Sequence, residues 1–172
     1  QYQFWLCEDN NYLLPNLDIS EIKNISNQKD TLFIKKLEGS NMTILLDGVV
    51  EFFENNKNRK IAIVTSCNKN VAKFILQYTK LINYVNLIIA SEDCIKHKPN
   101  PEPYLKAINR LNLKNEECII FEDSYTGYLS AKRAKVYKIC VVISENSCND
   151  IKNLSEFKIN GYTNLSVNKI LQ

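Results

Sequence analysis

Short apolar runs alternate with amphipathic helical segments along most of this 172-residue chain, and this alternation constrains its fold most strongly. From Thr43 onward, each apolar run is followed by a segment of helical periodicity. Continuous apolar runs separated by helices are typical of a parallel sheet that is covered on both faces. We therefore predict an α/β fold with strands at residues 61–64, 85–90, 118–121, 139–143 and 157–159.

The residues before about position 42 have a different pattern. Ile19, Ile22 and Ile25 are spaced for one face of a helix, and residues 32–37 indicate a second helix that ends at Gly39. No strand is predicted in this part. The sequence therefore predicts two regions, a helical one at residues 1–42 and an α/β one at residues 43–172.

Composition excludes several classes of protein. The formal net charge is only +3 and the lysines are scattered, so nucleic acid is not an expected partner. No apolar run is long enough to span a bilayer, and no secretory signal opens the chain. The six cysteines form no CxxC pair and lack zinc-like spacing, which favours reduced thiols and a cytoplasmic location.

Polar side chains follow three of the predicted strands, where ligands bind in open parallel sheets. The first group is Thr65 and Ser66, which lead into a helix. Hydroxyls and free N–H groups at a helix amino terminus suit an anion. The alternative is an ordinary helix cap, because Ser and Thr are favoured there in any case.

The second group is Lys98, which lies in the segment "KHKPNPEPY". Pro99 and Pro101 restrict the backbone around it, so its ammonium becomes a positioned cation suited to phosphate. The alternative is a surface lysine in a stiff loop. His97 is the only histidine, and we assign it no role.

The third group is the adjacent pair Glu122 and Asp123 at the end of an apolar strand. Two carboxylates in one place repel each other unless a positive charge lies beside them, and Mg²⁺ prefers such oxygen ligands. The alternative is a solvated turn in which Asp123 caps the next helix. Together, the hydroxyl, lysine and carboxylate groups predict a phosphate site with a metal anchor.

The segments "IAIVTS", "KHKPNPEPY" and "IIFEDSYTG", in this order, resemble the haloacid dehalogenase-like hydrolases. The resemblance is closest to the phosphatases and β-phosphoglucomutase-like enzymes that carry an inserted helical cap. It implies a Rossmann-like core over residues 43–172, without its first strand. It also implies that residues 1–42 are the remainder of the cap.

The resemblance also implies roles for the site residues. Thr65 would bind the transferring phosphoryl group, helped by the Ser66 backbone. Lys98 would bridge that group and a nucleophilic aspartate. Asp123 would ligate Mg²⁺, and Glu122 would bind it directly or through water. The implied substrate is a small phosphorylated metabolite.

Two positions depart from the family pattern. The family uses a D-x-D motif whose first aspartate is the nucleophile, and Asp47 does not fit it. Leu45 occupies the nucleophile position, and Asp47 lies only 18 residues before Thr65. We expect Asp47-Gly48 to open a helix and the motif to lie upstream of Gln1, which would leave the 172 residues inactive alone. Lys135 replaces a usual glycine at a left-handed helix end, at a cost of roughly 1 kcal/mol.

The predicted function is Mg²⁺-dependent phosphoryl transfer through an aspartyl-phosphate, as a phosphatase of a small phosphate monoester such as a sugar phosphate. The alternatives are a phosphomutase of the β-phosphoglucomutase type and a non-catalytic binding module of the same fold. A phosphoacceptor signalling domain fits less well, because its acidic residues would follow earlier strands. A dinucleotide site would need a G-x-G-x-x-G motif, which the sequence lacks.

Overall fold

The computed structural model describes residues 18–39, 44–144, 147–154 and 156–171, and it divides the chain into two compact units, residues 1–44 and 45–172. No helix within these described ranges is long and apolar enough to cross a membrane. The elements, in chain order, are α1 (Ile19–Glu38), α2 (Val49–Asn55), β1 (Ala62–Val64), α3 (Lys69–Tyr78), β2 (Leu87–Ile89), α4 (Glu102–Arg110), β3 (Ile119–Glu122), α5 (Tyr125–Arg133), β4 (Lys138–Val142), α6 (Asn149–Lys152), β5 (Phe157–Ile159) and α7 (Val167–Leu171).

The described part of the first unit is dominated by helix α1. Its amino end forms a capping box: the Asp18 carboxylate accepts from the Glu21 N–H at 2.9 Å, and the Glu21 carboxylate accepts from the Asp18 N–H at 2.8 Å. The helix ends before Gly39, as predicted. The prediction of two helices is wrong, because one continuous helix of 20 residues runs through the whole segment. Residues 1–17 of the predicted cap lie outside the described residues.

The strands of the second unit confirm a parallel α/β architecture. β1 pairs with β2, β3 with β4, and β4 with β5, and every ladder is parallel. The described strands form two sheets, β1-β2 and β3-β4-β5, where the sequence predicted one. Within these described sheets, β1, β2, β3 and β5 each pair along one edge only.

Helices cover the sheets as the apolar runs require. Cys140 and Val141 of β4 have no exposed surface, which matches a strand that is covered on both faces. The small side chains of Ala131 and Ala134 allow α5 to pack close to Ile120 of β3. A separate apolar cluster packs α2 and α3 against the first sheet, around Val49, Leu76 and Leu81.

The Asp47-Gly48 turn opens helix α2, as predicted. Gly48 has φ 77°, in the left-handed region that favours glycine. A Cβ at this position would lie 2.3 Å from the Thr163 backbone nitrogen. The Asp47 carbonyl also accepts from the Tyr162 N–H at 2.7 Å. The turn is therefore a packing contact with the segment after β5.

We expect Gly48→Ala to lower the free energy of unfolding by at least about 2 kcal/mol, from left-handed strain plus a clash with backbone atoms. Lys135 provides the matched control, because it also has a positive φ of 54°, as predicted for its helix end. Lys135→Gly relieves strain there and should change stability by no more than about 1 kcal/mol. Urea unfolding of both variants tests this, and equal effects would contradict the steric explanation.

Candidate active site

The carboxyl ends of β1 and β3 are joined by one buried lysine. Lys98 is 8% exposed, and its Nζ donates to the Val64 carbonyl at the end of β1 at 3.1 Å. The same Nζ forms an ion pair with the Glu122 Oε1 at the end of β3. The alternative of a surface lysine is therefore excluded. The structure thus brings Lys98 to the carboxyl ends of β1 and β3, the two other strands after which the sequence predicted site residues.

Glu122 is surrounded by hydrogen-bond donors. Its Oε1 accepts from Lys98 and from the Tyr104 hydroxyl, and its Oε2 accepts from the Ser124 hydroxyl at 3.1 Å. The residue is only 4% exposed. A buried carboxylate is tolerated when it is paired and when its remaining lone pairs are satisfied. The positive charge that neutralises Glu122 is therefore the Lys98 ammonium.

Asp123 has different surroundings, although it is the next residue. Its side chain keeps an exposed face, and no other described residue donates a hydrogen bond to its carboxylate. Partial loss of surrounding water, followed by the nearby Glu122 charge, raises the pKa of Asp123, while Lys98 opposes the shift. Asp123 thus presents an accessible carboxylate whose charge is not matched by a close cation.

Thr65 and Ser66 follow β1 beside the Val64 carbonyl that Lys98 contacts. The Thr65 hydroxyl accepts from the Cys67 N–H at 3.2 Å and donates to the Cys67 sulfur at 3.1 Å. Sulfur is a weak acceptor, so this hydroxyl proton is available to a stronger one. No acceptor for the Ser66 N–H lies among the described hydrogen bonds.

The amino terminus of α3 is used by the protein itself. The Asn68 side chain caps it by accepting from the Val71 N–H at 2.9 Å. The Glu92 carboxylate accepts from the Lys69 N–H at 3.1 Å, in the place where an anion would otherwise lie. An anion beside Thr65 would therefore use the loop before the helix rather than the helix dipole.

The loop that carries Lys98 is anchored by Glu102 at the start of α4. The Glu102 carboxylate accepts from the N–H groups of Ile95 and Lys96, each at 2.9 Å, and from the Lys106 ammonium at 3.0 Å. The bond to the Ile95 N–H, followed by the bonds from Lys106 and from the Lys96 N–H, lowers the pKa of Glu102 to about 2. The stiffness of this loop therefore comes from the Glu102 carboxylate as well as from the prolines that the sequence indicated.

Gly127 makes room for the Glu122 carboxylate. A Cβ on Gly127 would lie 2.0 Å from the Glu122 Oε2, which no real side chain would tolerate without moving. Helix α5 begins at Tyr125, two residues before Gly127. Gly127 therefore lies in the first turn of α5. It must lack a side chain because the Glu122 carboxylate fills the space that a Cβ would occupy.

The residues present fit a hard divalent cation only in part. Within the described ranges, no three His, Cys, Asp or Glu side chains come together as a metal cage. Asp123 offers oxygen lone pairs with no described partner, whereas both Glu122 oxygens already accept hydrogen bonds. Mg²⁺ commonly takes one or two protein carboxylates and completes its shell with water and phosphate. The donor set therefore fits Mg²⁺ bound through Asp123, and favours a water-mediated role for Glu122 over direct ligation.

Tyr104 is the site residue that sequence reasoning missed. It is 5% exposed, and its ring centroid lies 4.9 Å from the Lys98 Nζ. A tyrosine early in the helix after the lysine loop was visible in the sequence, but it reads equally well as a core residue. The role of Tyr104 could be inferred only from the need of a buried Glu122 carboxylate for a second hydrogen-bond donor.

Comparison with known proteins agrees with this fold. A family model described as haloacid dehalogenase-like hydrolase matches residues 13–142. Over 104 residues the chain is 35% identical to the phosphorylated carbohydrates phosphatase of Thermotoga maritima. This match covers 60% of the chain and 47% of the phosphatase. Over 77 residues it is 39% identical to the pyrophosphatase PpaX of Halalkalibacterium halodurans, covering 45% of this chain and 36% of that one.

Solved structures extend the likeness of the fold. The crystal structure of a HAD hydrolase, family IA, variant 3, from Entamoeba histolytica matches with a TM-score of 0.79 at 24% identity. The match covers 96% of this chain and 82% of that one. The class of the protein is thus a parallel α/β fold of this type. The chain belongs to the haloacid dehalogenase-like hydrolase family, and it spans less than half the length of the two curated relatives above.

We expect Gly127→Ala to displace the Glu122 carboxylate and weaken its pairing with Lys98. The loss should outweigh the gain in helix propensity and lower the free energy of unfolding by about 2 kcal/mol. Urea unfolding measures the loss. In a Glu122→Ala background, the same change should be neutral or stabilising by up to about 1 kcal/mol, because the clash is gone. An equal loss in both backgrounds would show that the clash is not with Glu122.

We expect Glu102→Gln to weaken the loop anchor in a pH-dependent way. Because the Glu102 pKa is lowered from 4.5 to about 2, its stabilising effect is complete above pH 4.5 and is lost as the pH falls through about 2. The difference in urea midpoint between the variant and the original protein should therefore shrink from pH 4.5 downward. Glu116→Gln, at an exposed glutamate, is the control and should show no such trend.

Proposed function

We propose that the protein is a Mg²⁺-dependent phosphatase of a small phosphate monoester, such as a sugar phosphate. The observation that carries the proposal is the buried Lys98 ammonium, held between the ends of β1 and β3 beside Thr65 and Asp123. A cation kept out of water in this position attracts a phosphoryl group far more strongly than a surface lysine does. The carbohydrate phosphatase among the relatives supports a sugar phosphate as substrate.

Each site residue has a task that follows from its contacts. The Thr65 hydroxyl turns from the Cys67 sulfur to a phosphoryl oxygen, and the Ser66 N–H donates to a second one. Lys98 neutralises charge that develops on the phosphoryl group, because it stays in place while Glu122 holds it. Asp123 would hold Mg²⁺, which supplies further charge neutralisation to the phosphoryl oxygens.

The nucleophile completes the proposal. We propose an aspartate on a strand that lies between β1 and β3 and precedes the 172 residues in the chain. The free edges of β1 and β3 support this position. Strands that flank a third one lie about 9.5 Å apart, a span that a lysine and a glutamate side chain bridge together. An aspartate at the end of such a strand would lie next to Lys98 and Asp123. Attack of its carboxylate on phosphorus would form an aspartyl-phosphate while the ester P–O bond breaks and the alkoxide leaves, taking a proton from water. Water would then hydrolyse the aspartyl-phosphate to inorganic phosphate and restore the carboxylate.

Two further assignments belong to the same proposal. Residues 1–42 form part of a helical cap, supported by the exposed apolar side chains of Ile25 and Leu32 on α1. A reducing, cytoplasmic location is supported by the free thiols of Cys94, Cys118, Cys140 and Cys148.

The test is hydrolysis of p-nitrophenyl phosphate by the full-length protein with Mg²⁺. Asp123→Asn should abolish turnover, and Lys98→Ala should lower kcat at least about 100-fold. Asp150→Asn, at an exposed aspartate outside the site, is the matched control and should keep full activity. A folded full-length protein without activity on a broad panel of phosphate monoesters would refute the proposal.

Asp123→Asn should also stabilise the metal-free protein. The pKa of Asp123 is raised in the folded state, so ionisation costs stability as the pH rises above its ordinary value of 3.8 and through the folded value. Asparagine avoids this cost, so the variant should have the higher Tm at pH 7 and no advantage below pH 3.8. Thermal unfolding at both pH values with a chelator measures it. A lower Tm at pH 7 would mean that the Asp123 charge is well compensated without metal.

A further inference from the structure

We infer that Tyr104 is a positioning residue that aims the Lys98 ammonium at the phosphoryl group. The inference rests on the proposed function, since Lys98 acts on phosphate only if that function is right. Tyr104 extends from α4 and is almost completely buried. Its ring and its hydroxyl make two separate contacts with the Lys98–Glu122 pair.

The first contact is that of the ring. The Lys98 Nζ lies 4.9 Å from the Tyr104 ring centroid, within the range of a cation–π interaction. An ammonium has three N–H donors. One is directed to the Val64 carbonyl and one to the Glu122 Oε1, and the third has no acceptor among the described residues. With one side of the ammonium covered by the ring, this third N–H is the one left for an incoming phosphate oxygen.

The second contact is that of the hydroxyl. Tyr104 donates to the Glu122 Oε1, which is the same oxygen that pairs with Lys98. Two donors therefore share the charge of one carboxylate oxygen, and Ser124 donates to the other oxygen. The hydroxyl thus limits how strongly Glu122 draws the ammonium toward itself. Without it, Lys98 is held closer to Glu122 and is less available to phosphate.

The chain contains a matched control for this arrangement. Tyr128 is also buried, its hydroxyl donates to the Glu156 Oε1, and the Lys132 Nζ lies 5.4 Å from its ring centroid. The same three types of group thus meet on the α5–β5 side without Lys98 or Glu122. Tyr128→Phe removes a hydroxyl that likewise donates to a glutamate and that also accepts from the Lys132 Nζ at 3.0 Å, so it reports at least the structural cost of losing such a bond.

The experiment compares Tyr104→Phe and Tyr128→Phe in the full-length protein by steady-state kinetics with p-nitrophenyl phosphate. Tyr104→Phe should lower kcat about 10-fold, the effect of one hydrogen bond to a charged group. The dissociation constant of inorganic phosphate should rise as well. Tyr104→Leu, which also loses the ring, should lower kcat about 100-fold. Tyr128→Phe should stay within about 2-fold of the original.

A double-mutant cycle separates positioning from structure. If Tyr104 acts through Lys98, Tyr104→Phe should change the residual rate of Lys98→Ala by less than about 2-fold. An effect of Tyr104→Phe that persists in that background, or that is equalled by Tyr128→Phe, would overturn the inference.

The outcomes also separate this inference from the proposed function. If Lys98→Ala retains the original activity, the proposed function itself fails. If Lys98→Ala is impaired but Tyr104→Phe behaves as the original protein does, only the positioning role of Tyr104 is overturned. Far-UV circular dichroism and thermal unfolding of each variant confirm that the comparison is made between folded proteins.

Discussion

The buried ion pair between Lys98 and Glu122 is the interaction on which the rest of the site depends. Either charge alone would be very costly at this level of burial, and removal of one partner from such a pair typically costs about 3–5 kcal/mol. The surrounding structure satisfies the pair from several sides. The Val64 carbonyl accepts a hydrogen bond from the ammonium, and Tyr104 and Ser124 donate hydrogen bonds to the carboxylate. Gly127 leaves the space that the carboxylate occupies. The ion pair thereby connects the carboxyl ends of β1 and β3 with the loop after β2 and the first turn of α5.

Two adjacent carboxylates acquire different tasks because consecutive residues at the end of a strand face different surroundings. Glu122 lies inside the protein and is neutralised by Lys98. Asp123 remains accessible, and its pKa is raised by partial loss of water and by the Glu122 charge. An unmatched carboxylate weakens the folded state, and proteins commonly retain such residues where function requires them. The stability lost at Asp123 is thus the cost of keeping a carboxylate accessible for its proposed role as a metal ligand.

Much of the fold was predictable, because continuous apolar runs and helix-ending residues carry strong local signals. The strand predicted at residues 118–121 and the helix after Asp47-Gly48 were found in this way, whereas the left-handed Lys135 was expected from the family resemblance. The division into two sheets was not, since periodicity shows which residues form strands but not which strands pair. The site residues were identified from their positions after the strands. The roles of Tyr104 and Glu102 depend on contacts across the fold, which a linear pattern cannot show.

The open edges of β1 and β3 have a consequence for how such a protein is assembled. β1 and β3 each present an unpaired row of backbone N–H and C=O groups in the described structure, and such edges readily accept another extended segment. A parallel strand bound between them would join both sheets through two hydrogen-bonded ladders at once. It would make the folding of the sheet cooperative across its full width. The same geometry is the basis of fragment complementation, in which a short peptide added in trans restores an interrupted sheet. The protein is thus suited to division into a strand donor and an acceptor.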